Sequence, residues 1–378
     1  MKYVNKMYSL LDACTNFKYD GEASVAYNGE GFYVNHNKRV LEEVKNWCYD
    51  IHWAYGSSLI NNIFPLSNEM QDEPTQLGII QIEFKLNKGE TLGDHRRYKD
   101  FYYTLYTNNK MFTEKKNVYS LFLTNIDYEI FKDLYTIPHE VLGSIWFKDI
   151  GPLSDELKDY VRQAYNDKQE MKKTGGDKSI FEAAFYGLFA KSLQDLYKDK
   201  EKEAIKTGDK KLLKQAEKCK EEYNKAFRKT GVQIVRSKYV PIALFQTAHL
   251  RLREYKLFKE NIDNVIYMNT DSIFANKPLN IKTSDKLGDY GVEYNGLPIQ
   301  YIRRNAYIVK NIDGSIKKQV IGGVDKVLNK LTIEQCKELK TNPDGITIKM
   351  YDENHKIVDR QLEPWFKLKN SGEAIDVD

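Results

Sequence analysis

Three observations predict an α+β fold. Strand-like segments and turns alternate through residues 66–153 (GIIQIEFKL, YSLFLTNI, SIWFKDI), amphipathic helical patterns take over from Asp155, and a long helical run leads straight into a short strand carrying NVIYMNTDSIF. The 378 residues are 41% apolar and 30% charged, enough to bury a substantial core and too polar for a bilayer-spanning protein. No apolar run approaches the roughly 20 residues of a spanning helix, and the opening MKYVNKMYSLLDAC lacks the apolar region of a signal peptide. A net charge of +4 demands neither nucleic acid nor an anionic membrane as partner. Cys14, Cys48, Cys219 and Cys336 lie far apart, in no zinc or CxxC spacing, as expected of reduced thiols in a cytoplasmic protein. The 27 Tyr and 17 Phe are a supply of flat surfaces that either fill a core or stack on bases.

Taken in order, residues 1–45 are mixed, with the Gly-punctuated YNGEG at Tyr27 to Gly31, a polar turn NHNK, and a helical pattern RVLEEVKNW. Cys48 to Trp53 is predicted as a strand leading into a helix near Ser57, with one carboxylate, Asp50, inside it. A helix is expected at Asp127 to Tyr135. From Asp155 to about Ser192 two helical patterns are joined by KKTGGDK. Lys198 to Lys229 is helical and Lys-rich, broken at Thr207 and Gly208: either a solvated hairpin or an arm that grips a phosphate backbone. YVPIALFQTAHLRLREYKLF is a long helix with Pro241 in its first turn. Strand and helix patterns then alternate to Lys326, and the last fifty residues combine a helix at Thr332 to Leu339 with two strands flanking YDENHK.

The chemistry concentrates in Tyr267-Met-Asn-Thr-Asp-Ser272, an apolar strand ending in a polar turn. Residues two apart on a strand face the same way, so Asn269 and Asp271 are expected to present oxygen ligands together. Asp50 sits in an equally apolar strand far away in sequence. Carboxylates in such surroundings are costly to bury unless paired or bound to a cation, and two strand-end acids side by side would suit two-metal phosphoryl transfer; the alternative is two unrelated hairpin acids.

YMNTDS resembles the YxDTDS motif of B-family DNA polymerases, DIHWAY (Asp50 to Tyr55) resembles their DxxSLYP motif, and FEAAFYG (Phe181 to Gly187) is similar to the fingers motif KxxxNSxYG, all in the right order. YNGEG is close to the YxGG linker of the protein-primed bacteriophage subgroup. LFLTNID (Leu121 to Asp127) resembles part of the insertion that contacts terminal protein there. IRRNAY (Ile302 to Tyr307) occupies the place of the KxY motif, and GVDKVLNKLTIEQ resembles the entry to the thumb. This resemblance implies a right-hand polymerase: a palm with an antiparallel sheet, helical fingers, a small thumb and an α+β insertion. The segments are 1–65 (linker remnant and first palm segment), 66–153 (insertion), 154–192 (fingers), 193–231 (Lys-rich helical insertion), 232–326 (second palm segment) and 327–378 (thumb).

It also implies the site. Asp50 and Asp271 bind two Mg²⁺ ions, replaceable by Mn²⁺, with Ile51 beside Asp50 at metal and nucleotide. Tyr55 lies under the incoming sugar and excludes a ribose 2′-hydroxyl. Tyr186 packs on the nascent base pair and Lys178 contacts the triphosphate. Tyr307, Arg303, Arg304, Thr270, Tyr27 and Gly29 contact primer or DNA. Partners are primer-template DNA and dNTPs, with a terminal protein primer and a separate exonuclease subunit as further expectations, no membrane, and the host cytoplasm as location.

Departures from the family pattern are specific. Asn269 stands where the family has its first YxDTDS aspartate, which removes one negative charge and leaves a single carbonyl acceptor. The fingers Asn-Ser pair is Ala183-Ala184, the motif Lys falls on Ser179 with Lys178 one residue early, the Lys of KxY is Asn305, and SLYP reads WAYG. About 26 residues precede YNGEG, so no proofreading domain is expected on this chain. The alternatives to an active polymerase are a catalytically impaired polymerase-like subunit that binds nucleic acid or terminal protein, and a nucleotidyltransferase or RNA polymerase on the same palm.

Overall fold

A computed structural model describes residues 2–17, 32–36, 43–104, 112–115, 117–175, 200–201, 203–205, 207–230, 239–303, 306–321, 335, 338, 342, 345–351 and 356–362. In chain order the elements are α1 (Lys2–Cys14), β1 (Tyr33–His36), β2 (Glu43–Ile51), α2 (Ala54–Asn61), β3 (Ile63–Pro65), β4 (Met70–Gln71), β5 (Gly78–Lys85), β6 (Phe101–Thr104), β7 (Phe112–Lys115) and β8 (Val118–Thr124). There follow α3 (Asn125–Leu134), β9 (His139–Phe147), β10 (Ile150–Pro152), α4 (Asp155–Lys173), α5 (Lys210–Thr230) and α6 (Val240–Glu260). Seven strands complete the list: β11 (Val265–Asn269), β12 (Ser272–Ala275), β13 (Tyr290–Arg303), β14 (Ala306–Lys310), β15 (Ile316–Ile321) and the pair β16 (Ile346–Tyr351) and β17 (Ile357–Leu362).

Eight strands form one antiparallel sheet in the order β15-β14-β13-β2-β12-β11-β1-β6. β2 lies inside it, paired over its length with the 14-residue β13 on one side and with β12 on the other. Alternation sends its side chains to two different cores. Tyr49 and Ile51 join Met268, Ile273 and, from α6, Leu250, Leu257 and Phe258 beneath the sheet. Cys48 joins Tyr33, Tyr267, Phe274 and Tyr301 on the upper face. α6 starts with Pro in its first turn; its apolar N-terminal half is buried on most sides, while Lys256, Lys259 and Glu260 near its end are exposed.

A second sheet, β4-β9-β5-β8-β7, lays Ile80, Ile82, Phe84 and Leu123 on Ile130, Phe131 and Leu134 of α3. Thr124 caps α3: its hydroxyl accepts from the Asp127 N–H at 3.0 Å. α3 is joined to α6 by a bidentate pair, Arg251 Nε and Nη2 each donating to an Asp127 carboxylate oxygen at 2.7 Å, with both side chains 1% exposed. α4 is capped by the Ser154 hydroxyl, which accepts from Leu157 N–H at 3.3 Å.

Most of the expected elements are present, with four corrections. Arg39–Trp47, helical by pattern, is strand from Glu43 on: β2 is wedged between β12 and β13, and tertiary pairing overrides a helical charge pattern. Among the described residues between 276 and 321 there is no helix, only β13, β14 and β15, because these strands extend the central sheet from β2 outwards. Residues 2–14, mixed by sequence, are helical, with Met7, Leu10 and Leu11 buried against Leu157 and Val161 of α4. Finally, Asn269 and Asp271 do not share one strand: Asn269 ends β11, and the chain reverses at Thr270.

Candidate active site

The site is built where β2 ends beside the β11–β12 turn. Ser272 is the register partner of both Asp50 and Asn269, so the three residues lie abreast on adjacent strands. Alternation from Cys48 and Tyr267 puts Asp50 and Asn269 on the upper face. Asp271 is pinned next to them by its backbone: the Ile51 N–H donates to the Asp271 carbonyl at 2.9 Å, and the Asp271 N–H donates to the Asn269 carbonyl at 2.7 Å. That second bond closes a three-residue turn around Thr270, whose φ of 60° is strained for a β-branched residue and costs about 1–2 kcal/mol. Thr270 N–H bonds to Phe32 O at 3.2 Å, which ties the turn to the start of β1.

Both carboxylates are only half-buried at the surface, yet they are packed round by protein and by each other. Burial pushes Asp50 up from the usual carboxylate range, and the neighbouring Asp271 and Glu293 add to this. Asp271 is pushed up mainly by burial, with Glu293 adding and Lys168 opposing. Lys172 likewise opposes the rise at Asp50. Lys168 and Lys172 lie one turn apart on α4, so this helix turns a cationic face to the acid pair. Beneath the sheet the fully buried Glu254 is pushed up to about 8, chiefly by burial; Tyr290 donates to its Oε1 at 3.1 Å.

The loop after β2 is fixed by the loop before β13. The His52 N–H bonds to Asp289 O at 3.0 Å and the Gly288 N–H returns to His52 O at 2.9 Å. Trp53 follows in the left-handed region (φ 54°, ψ 63°) and starts α2. Tyr55, in the first turn of α2, packs against the core beneath the sheet, and its carbonyl accepts from Gln246 Nε2 at 2.8 Å. Tyr307 belongs to the upper-face cluster, 5.1 Å from the Phe274 ring and 6.2 Å from that of Tyr267, and burial raises its hydroxyl. Of the residues expected at the site, Asp50, Ile51, Asn269, Thr270 and Asp271 are brought together at one strand end. Arg303 closes β13 in the same sheet. Tyr27, Gly29, Lys178, Tyr186 and Arg304 lie outside the described residues.

Sequence reasoning missed four neighbours: Lys168, Lys172, Glu293 and Glu254. The two lysines carried a weak signal, their i,i+4 spacing in KQEMK on an amphipathic helix. The two glutamates carried none, because each reaches the site only through the packing of β13 and α6.

Hard oxygen donors with raised proton affinity are what a Mg²⁺ or Mn²⁺ ion takes up, so the Asp50–Asp271 pair fits a divalent cation. Among the described residues no group of three or more acidic, His or Cys side chains converges to hold a metal ion.

No family model matches the chain. The DNA polymerase of Streptococcus phage Cp-1 is 24% identical over 323 residues, covering 80% of this chain and 53% of the relative. That of Bacillus phage phi29 is 24% identical over 359 residues, 84% of this chain and 57% of the relative. The chain thus spans a little over half the length of these relatives. Among solved structures, phi29 DNA polymerase in ternary complex with primer-template DNA and incoming nucleotide matches with a TM-score of 0.59 at 16% identity, covering 96% of this chain and 66% of that one. An orthorhombic crystal form of phi29 DNA polymerase gives 0.54 at 17% identity, over 96% of this chain and 67% of that one. The chain shares its α+β fold with phi29 DNA polymerase and is similar in sequence to these phage DNA polymerases.

Proposed function

We propose that the chain is a template-directed DNA polymerase that adds dNMPs to a primer 3′-hydroxyl, or to a protein hydroxyl at initiation, in the host cytoplasm. The observation that carries this reading is the juxtaposition of Asp50 at the end of β2 with Asp271 in the adjoining β11–β12 turn, with the Lys168–Lys172 face of α4 turned towards them. The eight-stranded sheet with α6 serves as the palm, and α4 opens the fingers. Among the described residues no helix is long and apolar enough to cross a membrane.

Asp50 and Asp271 would hold the divalent ions, with the Ile51 backbone beside them. Held there, divalent ions would supply a lowered pKa for the attacking hydroxyl and charge neutralisation for the departing pyrophosphate. The chain's own part is positional. Lys168 and Lys172 draw the triphosphate to the acid pair, Tyr55 occupies the floor under the sugar and disfavours a 2′-hydroxyl, and Tyr307 with Arg303 meets the primer. A separate observation favours a second reading, an impaired polymerase-like subunit that binds primed DNA or terminal protein: Asn269 lacks the charge that a third carboxylate would bring to the strand end.

Primer extension with dNTPs or rNTPs, in Mg²⁺ or Mn²⁺, separates the readings when run on this chain, on Asp50→Ala and on Asn269→Asp. Incorporation of dNMPs by the chain and its loss in Asp50→Ala is the expected result. Incorporation that survives Asp50→Ala would sink the metal-site assignment, and activity confined to Asn269→Asp would select the second reading.

A further inference from the structure

We propose that Trp53 is a positioning residue: with Tyr165 it forms an aromatic pivot that sets α4, and hence Lys168, over the Asp50–Asp271 pair. The inference deepens the polymerase reading, on which it rests for what Lys168 then meets.

Trp53 stands three residues beyond Asp50, at the junction of β2 and α2, and its left-handed backbone aims the indole away from the direction that an ordinary strand or helix residue would give it. The ring lies nearly parallel to that of Tyr165 on α4, with centroids 6.1 Å apart and planes 22° from parallel. Lys168, three residues further along α4 and therefore on the same face, sets its ammonium 5.5 Å from the indole centroid. The same lysine is the α4 cation that acts on Asp271. Tyr165 is held at its far end, its hydroxyl donating to Asp285 O at 2.9 Å, in the loop that also bonds the His52 backbone in both directions. Indole, phenol and ammonium thus form one stack from the strand that carries Asp50 to the helix that faces it.

Gly56 completes the device. A Cβ there would lie 2.8 Å from Trp53 Cε3 and 2.9 Å from Cδ2, atoms of a rigid ring that cannot fold aside. The indole occupies this place only because residue 56 has no side chain. Trp53 and Gly56 are a matched pair, and both depart from the family's SLYP.

The test uses the full chain. Hydrogen exchange along α4 should accelerate about tenfold in Trp53→Ala and in Gly56→Ala, the upper end of what one aromatic contact contributes, while β11 and β12 stay at parental rates. Trp53→Phe, which keeps a ring, should restore slow exchange. In primer extension with dATP, Trp53→Ala should raise KM about tenfold with kcat within about twofold, and should add nothing further to KM in a Lys168→Gln background. Parental exchange at α4 in Trp53→Ala overturns the pivot, as does a fall in kcat at unchanged KM. If the parent chain neither binds nor incorporates dATP, it is the polymerase reading that falls, and the exchange arm alone decides for or against the pivot.

Discussion

Exchanging a carboxylate for the amide of Asn269 removes a negative charge from a strand end that already carries two acids with raised proton affinity. At the proposed metal site the lower charge means weaker cation binding, but it also spares the fold a third repulsive group beside Asp50 and Asp271. Asn269→Asp is therefore expected to increase incorporation at least about tenfold while lowering metal-free stability by about 1 kcal/mol, checked by primer extension and by thermal unfolding in EDTA. The acid pair also sets a pH dependence. Because protons compete with the cation, the rise in Tm on adding Mg²⁺ should be larger at pH 8 than at pH 6; an equal rise at both would mean that the ion binds elsewhere.

Among the elements, α6 and α3 are tied by the Arg251–Asp127 pair, which is bidentate and 1% exposed at both ends. Its net worth is small, since desolvation offsets attraction, but cutting it in half leaves an uncompensated buried charge. Asp127→Ala should cost about 3–5 kcal/mol by denaturant unfolding, whereas the double exchange Asp127→Leu with Arg251→Met should recover most of that loss. This pair also shows why spacing was a limited guide to elements. The pattern predicted a helix over Asp127 to Tyr135, close to α3, yet nothing near Asp127 in the sequence points to an arginine 124 positions later. The helical pattern over Arg39–Trp47 misled for a related reason: β2 owes its conformation to β12 and β13, which come from a distant part of the chain.

For the whole molecule, the buried acids give stability a definite slope. Glu254, pushed from an ordinary 4.5 to about 8, keeps a proton in the folded chain that the unfolded chain has already released. The stability this proton contributes is complete below about pH 4.5 and is lost as the pH rises to about 8, at up to about 1.4 kcal/mol per pH unit. Metal-free Tm should fall across this window, and Glu254→Gln should flatten the fall; an unchanged slope in that variant would assign the effect to Asp50 and Asp271 alone. What the sequence determined by itself was the chemistry held in short motifs. DIHWAY and YMNTDS named the acids, because a polar group in an apolar strand is conspicuous wherever it lies, and the long run before NVIYMNTDSIF named α6. Tertiary structure decided everything that depends on two chain segments meeting: the pairing of β2 with β12 that sets Asp50 beside Asp271, the lysines of α4 that face them, the buried Glu254, and the stack of Trp53 on Tyr165. Register and side-chain approach are fixed by long-range packing, which leaves no local periodicity to read.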